Sequence, residues 1–435
     1  MSVETESGGP SGADDPSSDE PTNVRAVLAQ ELAATDFRLI LVTLLGVYAL
    51  FAVFTFASGN GMGALKSQYT RLSFLFAAYA VLSLALNLQW GYTGLFNIGV
   101  AGFMAVGVYT MSLLSTPPDA ISGQGLGLPL PIGVVAGMIV AALVGLIAAV
   151  PALRLRADYL AIVTLGLSEI IRLTANSKTL SDWTIATFGF GTGGGSGTDL
   201  PARPTNTLVE TYYAANNTLA QRAAWVIVML GFVIAIYWLL VRVGNSPFGR
   251  VLKAIREDEL VAQSLGKDTR WFKIKVFMLG CALMGLGGIL WQGSQSYVSP
   301  DSFRPIVTFY VFIAVIIGGS GSNTGSVIGS ILFVGLLFEG PRTLGNIVSS
   351  AVNLGSPPGT FAGAVEPLLV FNFAPFLAFL IDNISAFRFI LLGIVLVIIM
   401  QKRPEGMLGH RTESAAAIDL GRDTPGGTTG GDRDE

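Results

Sequence analysis

The chain has 435 residues, of which 51% are hydrophobic and only 13% are charged, with a formal net charge of -3. Because about a quarter of the residues are charged in a soluble domain, this composition excludes a surface that is fully covered by water and indicates a protein embedded in lipid. The single cysteine, Cys281, and the single histidine, His410, exclude an internal disulfide, a Cys/His metal cluster and a Ser/His/Asp triad in the apolar part of the chain. We therefore expect no catalytic, cofactor-binding or metal site.

The N-terminal stretch 1–35 predicts a disordered acidic tail and not a secretory signal peptide. It opens with acidic residues such as Glu4 and Glu6, whereas a signal peptide opens with positive charge. The stretch 411–435 is rich in Gly, Thr and Asp without apolar periodicity, which is also typical of a disordered tail. Residues 36–410, between the two tails, form the predicted transmembrane domain.

Apolar stretches in this domain are candidate membrane spans, because a helix needs about 20 apolar residues to cross the hydrocarbon. The candidates are 39–57, 72–90, 94–115, 129–150, 159–176, 223–241, 273–292, 306–318, 325–339 and 387–401. A further apolar stretch, 366–381, is interrupted by Pro367 and Pro375. The sequence therefore predicts an all-α polytopic membrane protein with about ten transmembrane helices.

Basic residues orient these spans, since cytoplasmic loops carry an excess of Lys and Arg. The densest group, which includes Arg242, Arg250 and Lys253, follows the span 223–241, and we therefore place that loop in the cytoplasm. Counting spans in both directions predicts cytoplasmic N- and C-termini and an outer loop at 177–222. An eleventh span would move the C-terminus outside, so we interpret 366–381 as a re-entrant or interfacial segment.

The predicted cytoplasmic loop 247–267 has the pattern of a short amphipathic helix. Leu252, Ile255 and Leu265 recur near a helical period, charged residues occupy other positions, and Gly266 can end the helix. Such a helix either rests on lipid headgroups or docks into a groove on a soluble partner. Its mixed charge favours docking, because a headgroup-binding helix would carry mostly Lys and Arg on its polar face.

The sequence lacks the phosphate loop G-x-x-x-x-G-K-[ST], so we expect this chain not to hydrolyse ATP. The Gly-rich run 318–325 comes nearest to it but has no lysine. We interpret this run as a tight helix connection or a flexible re-entrant loop. The alternative is that its free backbone groups line a water-filled path.

Polar residues inside the spans are candidates for a translocation path, because polar groups are costly in the hydrocarbon. The candidates are Asn87, Asn97, Thr164 and Glu169. Glu169 and Arg172 lie three residues apart on one predicted helix, where they can form an ion pair on the same face. The alternative is that these residues have structural roles. Glu169 can form the ion pair with Arg172 and have no other role, and Asn87, Asn97 and Thr164 can form hydrogen bonds with another helix instead of with a solute.

A series of short motifs covers most of residues 80–410. In chain order they are Leu86–Gly94, Leu153–Tyr159, Thr164–Arg172, Gly249–Gly266, Lys273–Phe277, Gly285–Gly288, Ser299–Phe303, Ile317–Ser322 and Arg403–Gly409. Together they resemble the permeases of branched-chain amino-acid ABC importers. The segment 340–386 looks longer than is usual in that family.

This resemblance implies a permease subunit in the plasma membrane that carries Leu, Ile and Val. It also implies separate ATPase subunits that use the ATP, a second related permease and an external solute-binding protein, with no nucleic acid and no cofactor of its own. It further implies that the loop 247–267 is the coupling helix that binds the ATPase. The residues implied in this coupling are Gly249, Arg250, Ala254, Arg256, Glu257, Glu259, Ala262, Leu265 and Gly266.

Two alternatives remain open on the sequence. A urea or short-chain amide importer shares the same motifs. An ion-coupled transporter or channel belongs to a different class and would need an acid within the membrane, for which Glu169 is the candidate.

Overall fold

The structure, a computed structural model, is almost entirely helical, as the sequence predicts. It describes residues 20–118, 125–152, 157–189, 191–213, 218–351, 356–403 and 405–409. Most of the predicted N-terminal tail and all of the tail 411–435 lie outside the described residues. The first half of the motif Leu153–Tyr159 also lies outside them.

The α-helices are, in chain order, α1 (Glu20–Ala57), α2 (Met62–Leu86), α3 (Val100–Ser115), α4 (Leu130–Ala152), α5 (Ala157–Asn176), α6 (Lys178–Phe188), α7 (Pro204–Tyr213), α8 (Thr218–Asn245), α9 (Pro247–Glu257), α10 (Glu259–Ser264), α11 (Thr269–Gln292), α12 (Pro305–Gly318), α13 (Asn323–Leu332), α14 (Gly340–Ala351), α15 (Phe361–Val365), α16 (Ala374–Asp382) and α17 (Ile384–Lys402). Two π-helical turns, Asn87–Gly91 and Phe333–Glu339, continue α2 and α13. Three 3-10 turns lie at Gly194–Ser196, Pro300–Phe303 and Glu366–Val370. A small antiparallel sheet joins β1 (Thr198–Asp199) to β2 (Tyr297–Val298).

The first helix begins inside the stretch for which the sequence predicted a disordered tail. α1 starts at Glu20, so residues 20–35 are helical. The physical reason is local, because this part of the chain is rich in Ala, Leu, Glu and Gln, which have high helix propensity.

Seven helical stretches among the described residues are long and apolar enough to cross a membrane. They are Thr35–Ala57, Met62–Gly91, Leu130–Pro151, Thr218–Asn245, Thr269–Gln292, Pro300–Gly318 and Asn323–Ile347. α5 and α6, which meet at a bend of 62°, give an eighth if they form one broken span. The predicted count of ten is therefore not confirmed. One predicted span, 94–115, is shorter in the structure because the chain leaves the helix at Gly94, where φ is +71°, and α3 begins only at Val100.

The apolar segment 366–381 is divided into a 3-10 turn and the nine-residue helix α16. At the end of the turn Leu369 and Val370 are 83% and 76% exposed, and Phe371, which follows it, is 84% exposed. Neither piece is long enough to cross the hydrocarbon. Its assignment as a re-entrant or interfacial segment stays a prediction.

The core of the molecule lies where α2, α3, α4 and α11 pack together. Glycines allow close approach there, because a Cβ atom on Gly107 would lie only 2.6 Å from Cα of Gly285. Small residues at helix crossings are a general feature of membrane helix packing. The outward faces of α4, α5 and α8 instead expose large apolar side chains such as Ile147, Ile162 and Ile227, which require a covering of lipid.

The spans bring connecting segments together at two opposite ends of the molecule. One end, which we call the α9–α10 end, contains α9, α10, Gly91, the Gly-rich loop 319–322 and the segment 405–409. The other, the sheet end, contains the β1–β2 pair and the turns around 294–296 and 300–303. α8 and α11 each run between the two ends, since α8 leads into α9 and α11 follows α10.

Candidate functional site

The predicted amphipathic helix is two helices in the structure. α9 ends at Glu257 and α10 begins at Glu259, and the Asp258 side chain caps α10 by accepting hydrogen bonds from the backbone N–H groups of Leu260 (2.9 Å) and Val261 (3.1 Å). The prediction of a single helix in the loop 247–267 is therefore wrong at its middle. An aspartate at this position favours a helix start, because its carboxylate satisfies the free N–H groups of the first turn.

The ends of the segment follow their sequence signals. Pro247 occupies the first turn of α9, and the Ser246 hydroxyl accepts a hydrogen bond of 3.2 Å from the backbone N–H of Gly249. Gly266 has φ of +74° and follows the last turn of α10. Proline near a helix start and glycine just beyond its end are the expected arrangement.

The apolar residues of the segment fall into a buried group and an exposed group. Leu252, Ile255 and Ala262 are buried against the rest of the molecule. In contrast, Leu260 is 76% exposed and Leu265 is 72% exposed. The sequence pattern places Leu252, Ile255 and Leu265 on one stripe, whereas the structure buries the first two and leaves Leu265, together with Leu260, as an apolar surface around α10.

Three contacts hold the segment against the membrane domain. The Arg256 guanidinium donates a hydrogen bond to the backbone carbonyl of Gly91. The Glu259 carboxylate lies 2.5 Å from Nζ of Lys273 and accepts a hydrogen bond of 3.0 Å from the Thr269 hydroxyl. Gly249 lies so close to the end of α8 that a Cβ there would be 2.3 Å from the carbonyl of Val243. These contacts join the α9–α10 segment to the π-helical turn after α2, to α8 and to α11.

The exposure of the predicted coupling residues varies. Arg250, Ala254, Arg256, Glu257, Leu265 and Gly266 are exposed, Glu259 is half-buried, and Gly249 and Ala262 are buried. The exposed members can contact a partner directly. The two buried members can act only through the packing of the segment.

Asn87 lies at the junction between the π-helical turn and the Gly-rich loop. Its side chain is fully buried, donates a hydrogen bond of 3.1 Å to Oδ1 of Asn323, and accepts one of 2.7 Å from the backbone N–H of Gly321. A buried amide with such partners fixes the contact between two segments. Its role in a translocation path stays a prediction.

Asn97 and Thr164 belong to a second buried network. Asn97 donates to Oε1 of Gln89 (2.8 Å) and accepts from the backbone N–H of Gly99 (2.8 Å). The Thr164 hydroxyl accepts from the backbone N–H of Ile98 (3.0 Å) and donates to the carbonyl of Ala161 (3.1 Å). Both side chains are fully buried with protein partners, which is the geometry expected of the structural alternative.

The predicted ion pair between Glu169 and Arg172 is confirmed. The closest distance is 2.6 Å, and Arg172 also lies 3.2 Å from the Asp301 carboxylate. Arg172 thereby joins α5 to the 3-10 turn at the sheet end. Glu169 is therefore paired in this structure, and its role in a translocation path stays a prediction.

The Gly-rich run is a tight connection between α12 and α13. Gly319 and Gly321 have φ of +105° and +93°, and the Ser322 hydroxyl caps α13. Two backbone hydrogen bonds hold the C-terminal segment on it, from Met407 to the Ile317 carbonyl (3.0 Å) and from Leu408 to the Gly318 carbonyl (2.9 Å). These bonds fit the interpretation as a tight connection.

Several polar groups of the structure escaped the sequence analysis. Glu339, whose side chain is only 3% exposed, lies 3.0 Å from the half-exposed Arg71, 268 residues earlier in the chain. Gln89 binds both Asn97 and the carbonyl of Phe277. The position of Glu339 at the end of an apolar stretch is a signal that the sequence contains. However, no sequence spacing indicates that its partner is Arg71.

No group of three or more His, Cys, Asp or Glu residues that could hold a metal ion lies within the described ranges. Fold and site together define a polytopic helical membrane protein with a short two-helix segment outside its spans. The chain belongs to the family described as branched-chain amino acid transport system / permease component, which it matches over residues 68–400.

Individual relatives are similar over much of this region. The high-affinity branched-chain amino acid transport system permease protein LivM of Escherichia coli is 33% identical over 271 residues, or 59% of this chain and 60% of the relative. LivM of Salmonella typhimurium is 32% identical over 271 residues, which are again 59% of this chain and 60% of the relative. The probable LivM of Methanocaldococcus jannaschii is 28% identical over 288 residues, or 60% of this chain and 77% of the relative.

The chain spans about 60% of the length of the first two of these relatives. No solved structure matches it.

Proposed function

We propose that this chain is the permease subunit of an ABC importer that carries branched-chain amino acids across the cell membrane. The family match over residues 68–400 supports the class, and the LivM relatives are named as branched-chain amino acid permease proteins. One observation supports a permease that is driven by separate protein subunits. Leu260 and Leu265 form an exposed apolar surface on a segment that contacts three spans.

In this proposal the ATP is used by separate ATPase subunits and the chain needs no cofactor. The α9–α10 segment inserts its exposed apolar side chains into a groove of the ATPase, as amphipathic helices commonly do. A second related permease completes the path, and an external binding protein delivers the solute at the sheet end. Both termini then lie in the cytoplasm, because basic residues such as Arg250 and Lys253 mark that side.

The test of docking uses exposed residues, because a substitution at the buried Ala262 would disturb the fold itself. We expect Leu260→Glu with Leu265→Glu to abolish copurification of the ATPase subunits and to reduce ATP-dependent uptake by at least about tenfold, the effect of losing two buried apolar anchors. Met62→Glu is the matched control, since Met62 is 59% exposed and begins the helical stretch Met62–Gly91, whose other end contacts α9. Intact association in the double variant would contradict the proposal.

The test of the substrate is uptake of radiolabelled leucine and urea in vesicles that contain this chain, its partners and ATP. We expect leucine uptake that requires ATP and is competed by isoleucine and valine. Urea uptake without leucine uptake would replace the substrate and keep the importer. Uptake of either solute that follows an ion gradient and survives removal of the ATPases would contradict the importer.

A further inference from the structure

An open cavity lies at the sheet end of the molecule, opposite the α9–α10 segment. Its volume is about 670 Å³, within the range of about 300–1,000 Å³ that is typical of small-molecule sites. The walls come from the N-terminal parts of α2 and α8, the C-terminal end of α11, Phe338 and the turn 294–296. None of the four residues predicted for the translocation path lines this cavity.

Three arginines line the cavity, and they differ in how their charge is compensated. Arg71 lies 3.0 Å from the buried Glu339 carboxylate, so its charge is balanced. Arg203 donates a hydrogen bond to the uncharged carbonyl of Ser294. Within the part of the chain that the structure describes, neither Arg203 nor Arg222 forms an ion pair. The cavity therefore carries uncompensated positive charge.

The two guanidinium groups without an ion-pair partner repel each other, because both carry positive charge. Burial and the positive charge of Arg222 lower the pKa of Arg203 below its usual range. A bound anion would offset both effects, because it supplies the missing countercharge. Guanidinium groups are also well suited to a carboxylate, which they can bind with two parallel hydrogen bonds.

Four aromatic side chains also form part of the cavity wall. Trp225, Trp291, Phe74 and Phe338 line it. The indole N–H of Trp225 already donates to the Leu290 carbonyl at 3.1 Å, so this ring contributes mainly apolar surface. Aromatic rings can pack against an aliphatic side chain and can attract an ammonium group through their faces. The cavity thus combines groups that can bind a carboxylate with aromatic surfaces that suit the aliphatic side chain and the ammonium group of an amino acid.

We propose that this cavity is the first site at which the permease binds the solute, with Arg203 and Arg222 binding its carboxylate. This proposal rests on the proposed function and narrows it, because it requires a solute with a carboxylate and excludes urea and simple amides from this site. Arg222 is exposed at the mouth, where it meets the solute before the half-buried Arg203 does.

The first test compares Arg222→Gln and Arg222→Lys in the assembled transporter in proteoliposomes with its binding protein. We expect Arg222→Gln to lower the leucine transported per ATP hydrolysed by about tenfold, the usual effect of losing a charged hydrogen bond, while Arg222→Lys retains part of it. The binding-protein concentration that gives half-maximal ATPase stimulation should not change. Arg304→Gln is the matched control, because Arg304 is an exposed arginine of the sheet end that does not line the cavity.

A higher half-maximal binding-protein concentration in Arg222→Gln would overturn the proposal, since Arg222 would then bind the binding protein and not the solute. A variant that behaves like Arg304→Gln would also overturn it. If the unmodified transporter carries no leucine, the proposed function fails. A second measurement then still tests whether the cavity binds a carboxylate.

The second test needs no transport and no partner. The chain in lipid nanodiscs is titrated with 4-methylpentanoate or with its neutral amide, and the tryptophan emission is recorded. We expect a saturable change with the carboxylate only, and loss of that change in the double variant Arg203→Gln with Arg222→Gln. Equal responses to acid and amide, or an unchanged response in the double variant, would overturn the proposal.

Discussion

Gly91 lies where three separate segments of the chain meet. Its carbonyl accepts the hydrogen bond from Arg256 of α9, and its neighbour Asn87 accepts one from the Gly-rich loop at Gly321. A Cβ on Gly91 would lie 2.0 Å from Oδ1 of Asn87 and 2.5 Å from the backbone nitrogen of Gly321. The contact between the α9–α10 segment and the spans therefore requires glycine at this position.

We expect Gly91→Ala to destabilise the protein by about 1–3 kcal/mol, the usual effect of overpacking a filled site. It should also separate α9 from α2 and reduce uptake per ATP hydrolysed. Thermal unfolding in detergent measures the first effect. Gly231→Ala is the control, because Gly231 is a helical glycine with open space around its Cβ position. Equal unfolding temperatures for the two variants would contradict the prediction.

At the scale of elements, the important feature is the division of one predicted helix into α9 and α10. α10 has six residues, and isolated helices shorter than about 12 residues are only marginally stable in water. Its stability therefore depends on the cap at Asp258 and on the ion pair between Glu259 and Lys273. Because α9 is buried through Leu252 and Ile255, the two helices should respond differently to loss of the cap.

We expect Asp258→Ala to destabilise α10 by about 1 kcal/mol, the typical effect of losing an N-cap. Amide hydrogen exchange should then become about fivefold faster in 259–264 and stay unchanged in 250–256. Asp258→Asn keeps the side-chain acceptor and serves as the control. Unchanged exchange in α10 of the alanine variant would show that the cap does not limit its stability.

At the scale of the whole molecule, the buried Cys281 allows the orientation to be measured. It is the single cysteine of the chain and is fully buried, so a maleimide that cannot cross membranes should not label the unmodified protein. Ser264 at the α9–α10 end and Ser296 at the sheet end are both exposed. A cysteine at either position reports on which side of the membrane that end lies.

We expect Ser296→Cys to be labelled in intact cells and Ser264→Cys to be labelled only after permeabilisation. The reason is that the basic residues around α9 favour the cytoplasmic side. Both cysteines are introduced into a Cys281→Ala background, with unmodified Cys281 as the control for buried thiols. The reverse labelling pattern would contradict the predicted orientation and the proposed ATPase docking together.

Features that depend on composition or on near neighbours could be predicted from the sequence. The low charge and the long apolar stretches determine a polytopic helical protein, because lipid must cover what water cannot. The spacing of Glu169 and Arg172 determines their ion pair, since residues three apart share a helix face. Pro247 and Gly266 mark the ends of the α9–α10 segment for a similarly local reason.

Only the tertiary structure decided the contacts between distant segments. Arg71 with Glu339, and Asn87 with Gly321, meet through helix crossings that no local pattern encodes. The cavity with Arg203 and Arg222 likewise arises from segments far apart in the chain. The physical reason is that lipid and protein interior are equally apolar, so a hydrophobic stripe in a membrane helix does not reveal which of the two covers it.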